Sequence, residues 1–152
     1  MRILRENTRQ RSFLDRMKIF MASENRQFQN ILVLEDVDET RYLLGKMLKG
    51  NGYHVDLARD EEDAISRASS CSPDLILMSL GQECEQLVAT AQRIRTQAEL
   101  GLEVAIVVFC VPTIPEGAEV EVKKNVYVTR PDNFNQLRDF LRRLLGRELP
   151  IC

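Results

Sequence analysis

The chain has 152 residues, 44% of them hydrophobic, enough for one globular core without disulfide or metal staples. Its four cysteines form no CxxC pair and it has a single histidine, which argues against a structural zinc site. The formal charge of −2 hides an asymmetry: residues 1–29 hold seven Lys/Arg against three Asp/Glu, leaving −6 for residues 30–152, and a folded part of that sign repels nucleic acid.

Residues 1–29 read as a separate basic segment. Phe13, Leu14, Met17, Phe20 and Met21 fall on one helical stripe, so the segment is either a tail or a docking helix. Met17 and Met21 are also alternative starts that would lead promptly into the first strand, which makes a mis-start a third reading. No apolar run reaches the roughly 18 residues of a membrane span, and arginines interrupt the region where a signal peptide keeps an apolar centre. The expectation is a cytoplasmic, reducing setting without membrane contact.

From Asn30 short apolar runs alternate with amphipathic stretches, the pattern of a parallel sheet covered on both faces. Ile31 to Leu34 predicts a buried strand that stops at Glu35 and Asp36. A helix follows on Leu44, Met47 and Leu48, with Asp38 as the expected N-cap and Gly50 and Gly52 as its end. Tyr53, Val55 and Leu57 predict a half-buried second strand, and Ala64, Ile65 and Ala68 a second helix closed near Ser72 and Pro73. Asp74 to Leu80 is the third strand. Leu87, Val88, Ala91, Ile94 and Ala98 mark the third helix, and Val104 to Cys110 is a nearly all-apolar fourth strand. Pro112, Pro115 and Gly117 fall where a fourth crossover helix belongs, so that connection is expected to be short or irregular. Val126 to Thr129 is the fifth strand, and Phe134, Leu137, Phe140, Leu141, Leu144 and Leu145 define a last helix stopped at Gly146. The charges on that helix, Arg138, Asp139, Arg142 and Arg143, are expected to be solvated.

In open parallel sheets ligands gather at the carboxyl ends of the strands. Here those ends carry Glu35 and Asp36, Ser79, Cys110, and Arg130 with Pro131. Leu34-Glu35-Asp36, the approach Pro73 to Leu77, and Tyr127-Val128-Thr129-Arg130-Pro131 together resemble the receiver domain of bacterial two-component response regulators. The resemblance runs from residue 30 to about residue 146. It implies an α/β, flavodoxin-like fold, a five-stranded doubly wound parallel sheet of order 2-1-3-4-5, here with an irregular fourth crossover. The domain division is then residues 1–29 as tail or docking helix, 30–147 as the receiver-like domain and 148–152 as a C-terminal tail.

The departures from the family decide the function. The resemblance implies a phosphoryl-accepting aspartate where Ser79 stands, and a serine needs a base to become a good nucleophile, whereas the sole histidine, His54, lies on the second strand. Losing the aspartate also removes a hard ligand, leaving only Glu35 and Asp36 as weak magnesium candidates, so no metal and no cofactor are expected. The family's hydroxyl residue after strand four is Cys110, a weak donor, and its lysine is Arg130, a planar fork expected to pair with Glu35 or Asp36 in place of the metal. Tyr127 resembles the family's switch aromatic, although an aromatic at a strand end is usually packing. Glu83 and Leu87 stand where family members carry a proline and a glycine.

The reading is a pseudo-receiver: a non-enzymatic module of a two-component or phosphorelay circuit that acts by protein–protein interaction. Its expected partner is a signalling protein, either a histidine kinase or an output protein, with a homodimer as a further option. The rivals are an active receiver with an unconventional acceptor, a flavodoxin-like nucleotide or redox protein, and a redox sensor using Cys84 and Cys110. The acidic, glycine-free stretch Glu35 to Asp38 argues against a nucleotide loop.

Overall fold

Six extended segments and four helices make up residues 29–109 and 114–146, which are the residues described by the computed structural model. In chain order they are β1 (Asn30–Glu35), α1 (Asp38–Gly50), β2 (His54–Ala58), α2 (Glu61–Cys71), β3 (Leu75–Ser79), α3 (Cys84–Gln97), β4 (Ala105–Phe109), β5 (Glu119–Lys123), β6 (Val126–Thr129) and α4 (Phe134–Leu145). Residues 1–28 of the segment read as a tail, docking helix or mis-start, the C-terminal tail and Cys110 lie outside the described residues.

The sheet has the order β2-β1-β3-β4-β6-β5. The first five strands of that order pair in parallel, as a flavodoxin-like α/β fold requires. The sixth is a departure from the expected five: β5 pairs antiparallel with β6 at the sheet edge. Its sequence, Glu-Val-Glu-Val-Lys, alternates with period two and is β-branched at every apolar position, so it favours a strand over a helix. The hairpin between β5 and β6 turns at Asn125, whose φ of 55° is a left-handed value that asparagine tolerates better than most residues.

Alternating side chains divide the core into two layers. Ile31, Val33, Leu75, Leu77, Val107 and Tyr127 face α1 and α4, meeting Leu48, Leu137, Phe140 and Leu141. Leu32, Leu34, Ile76, Met78, Ile106 and Val126 face α2 and α3, meeting Ala64, Ala68, Leu87, Ala91 and Ile94. The central strand β3 is fully buried from Leu75 to Met78. Two helices start on side-chain caps, Asp60 accepting from the Asp63 amide and Asn133 from the Gln136 amide. Asp38, the expected cap of α1, is instead its first helical residue; the extended residue before it is Val37, which has no side-chain acceptor. There Asp38 still favours the helix start through its charge.

Candidate functional site

The carboxyl ends of β1 and β3 put Glu35 and Ser79 side by side as register partners, with Phe109 opposite Thr129 further along the sheet. Glu35 is buried, 3% exposed, a costly place for a carboxylate. Its Oε2 accepts from the Val37 amide at 2.8 Å, and the carboxyl also meets the Asp36 side chain and the Ser79 hydroxyl. Burial pushes the Glu35 carboxyl above its ordinary range. The hydrogen bond and negative charge of Asp36 act in the same direction, while the Val37 amide and Ser79 oppose it. Asp36 itself is exposed and leans over Gly81, where an added Cβ would lie 3.8 Å from its Oδ2.

The pocket does not contain the expected ion pair with Arg130. The residues before β5 fold back along the end of β6, with the Gly117 amide donating to the Arg130 carbonyl and the Arg130 amide to the Ala118 carbonyl. The Arg130 guanidinium consequently donates to the Ile114 carbonyl at 3.2 Å, and among the described residues no ion pair joins it to Glu35 or Asp36. The cation that does attend the acidic turn is Arg41, which sequence reading missed. Its Nη1 donates to the Glu35 carbonyl at 2.8 Å and its Nη2 to the Asp38 carboxylate, with only 13% of its side chain exposed. The only sequence signal for it was the three-residue spacing from Asp38 on a helix.

Tyr127 lies buried in the core with its ring edge-on to Phe140, centroids 5.7 Å apart and planes at 83°. Arg143, one of the helix charges expected to be solvated, bonds Glu119 on β5 at 2.8 Å and lies over the Phe140 ring. Cys84, at the start of α3, is disulfide-bonded, whereas Cys71 is a free thiol.

The magnesium that a receiver pocket implies does not fit these residues. A hard cation takes several oxygen ligands, but Ser79 offers a neutral hydroxyl where the family implies a carboxylate, and the Glu35 carboxyl is engaged by Val37, Asp36 and Ser79. Among the described residues no three His, Cys, Asp or Glu side chains form a metal-binding group, and no helix is long and apolar enough to cross a membrane.

No family model and no curated protein matches the chain. Solved structures do. A structure of the histidine kinase ThkA in complex with the response regulator TrrA matches at 21% identity and a TM-score of 0.61, covering 78% of this chain and 99% of that one. The chemotaxis protein CheY4 of Vibrio cholerae matches at 18% identity and a TM-score of 0.59, over 77% of this chain and 98% of its own. The receiver domain of the hybrid histidine kinase CckA matches at 22% identity and a TM-score of 0.53, over 76% and 98%. At these identities the likeness establishes the fold, which is that of CheY-like receivers.

Proposed function

We propose that this receiver-fold chain is a pseudo-receiver, a module of two-component or phosphorelay signalling that works by binding another protein and does not carry an aspartyl phosphate. The observation that supports this most is the cluster of buried Glu35, exposed Asp36 and half-buried Ser79, in which the nucleophile position holds a hydroxyl and its acidic neighbours bond each other. A serine there is a neutral hydroxyl that needs a base to become a good nucleophile, and the sole histidine, His54, lies on β2. In this reading the chain has no enzymatic activity, takes no cofactor, works in the cytoplasm and binds neither nucleic acid nor membrane. A signalling-protein partner is supported by the ThkA–TrrA structure, in which a histidine kinase is in complex with a response regulator.

The test is incubation with a small-molecule phosphodonor and magnesium followed by intact mass measurement. No added phosphate mass is expected, and a phosphate on Ser79 would instead favour an active receiver with an unconventional acceptor. A second reading, a thiol-sensitive module, is favoured by the disulfide at Cys84. Alkylation under denaturing conditions, with and without prior reduction, tests it. If the bridge forms in solution, the unreduced chain takes up two fewer alkyl groups than the reduced one.

A further inference from the structure

Two helices, α2 and α3, cover one face of the sheet, and that cover stops short of β5, which stands in the chain where a fourth crossover helix would run. The uncovered strip is a groove of about 450 Å³ between the flank of α3 and the hairpin, lined by Val88, Ala89, Gln92, Val122 and Val128, with the disulfide-bonded Cys84 at its upper end. Val122 is 40% exposed, and Val120, which pairs with Val128 and so shares its face, is 46% exposed. These apolar side chains are left without cover among the described residues.

We propose that residues 13–21 of this same chain dock there as a helix and supply the missing cover. Three stretches lie outside the described residues, and only residues 1–28 contain an amphipathic stripe; residues 110–113 and 147–152 are too short for one. As a helix, residues 13–21 extend about 13 Å, close to the roughly 12 Å from Cys84 to Gln92 along the α3 flank. The tether also reaches. Gln29 sits at the amino end of the parallel strands, where its carbonyl accepts from the His54 amide. The lower end of the groove lies at the same edge, since Lys123 pairs with Val126, the first residue of β6. From β1 to β5 is four strand steps, about 19 Å, and residues 22–28 extended span about 23 Å. Entering from that end, residue 21 lies low and residue 13 high, so the docked helix runs in the direction of α3, as a crossover helix from β4 would. The basic segment also meets a folded part of net charge −6, with Glu85 on the groove rim.

The experiment uses the full chain with a benzoylphenylalanine photocrosslinker in place of Phe20, as an equal mixture of isotopically light and heavy protein. The expected result is crosslinks within one chain to peptides carrying Val88 or Val122. Light-to-heavy crosslinks would mean that a second copy fills the groove, and crosslinks elsewhere or none would mean that the segment does not dock; each overturns the proposal. Independently, Phe20→Glu and Val122→Glu should each speed trypsin cleavage after Arg16 and Lys18 about tenfold through loss of docking. Unchanged cleavage in both variants would also overturn the proposal.

Discussion

A buried carboxyl with a raised proton affinity makes the molecule's stability depend on pH in a definite direction. Glu35 binds its proton more tightly when folded than at its ordinary value of 4.5, chiefly through burial. Its contribution is therefore complete below that value and is lost as pH rises through the folded-state pKa. Glu35→Gln removes the charge while its amide oxygen still accepts from Val37 and its NH2 can donate to Asp36 or Ser79. We expect the variant to melt a few degrees above the wild type at about pH 7, with the gap closing near pH 4, as read by thermal melts across that range. Ser79→Asp tests the same pocket from the other side. A third carboxyl beside Glu35 and Asp36 should lower the melting temperature at neutral pH and make it rise again with millimolar magnesium, a dependence the wild type lacks.

Between elements, the critical link is Arg95, which ties the end of α3 to the turn before β6. The residue is 7% exposed, and its guanidinium donates to the carbonyls of Gly101 at 2.6 Å and Asn125 at 3.3 Å, while the Asn125 side chain donates to the Leu102 carbonyl. Arg95→Ala leaves these carbonyls without a charged donor, and we expect a loss of about 2 kcal/mol in a denaturant titration. Nothing in the local sequence singles out that arginine, because its partners lie beyond the helix it belongs to. By contrast β6 and α4 were legible, since a compact apolar run and a stripe ending at Gly146 carry their own boundaries. The strand β5 was readable in the alternation of Glu119 to Lys123, but Pro112, Pro115 and Gly117 drew that stretch toward an irregular crossover. At the candidate site the residues were legible and their partners were not. Which carbonyl Arg130 reaches depends on how residues 114–118 return along β6, a long-range fact.

Over the whole molecule, cover is uneven, and stability should follow it. β3 has a strand on each side and buried residues on both faces, whereas β5 has one neighbour and exposes four of its five residues. Amides buried on both faces exchange only when the sheet opens globally, while those of a half-covered edge exchange through local separation of the hairpin. Within the hairpin β6 is paired to β4 and its turn is tied down by Arg95 and Asn125, whereas β5 meets α4 only at its upper end, where Arg143 bonds Glu119 and Gln136 bonds the Gly117 carbonyl. In hydrogen–deuterium exchange, peptides covering residues 119–123 are expected to exchange orders of magnitude faster than those covering 31–34 and 75–78. Arg143→Ala, which leaves Glu119 with only its Gln136 partner, should widen the difference without altering exchange in β1 and β3. Equal protection across all six strands would mean that the hairpin is welded into the core, and the uneven cover would then have no energetic consequence.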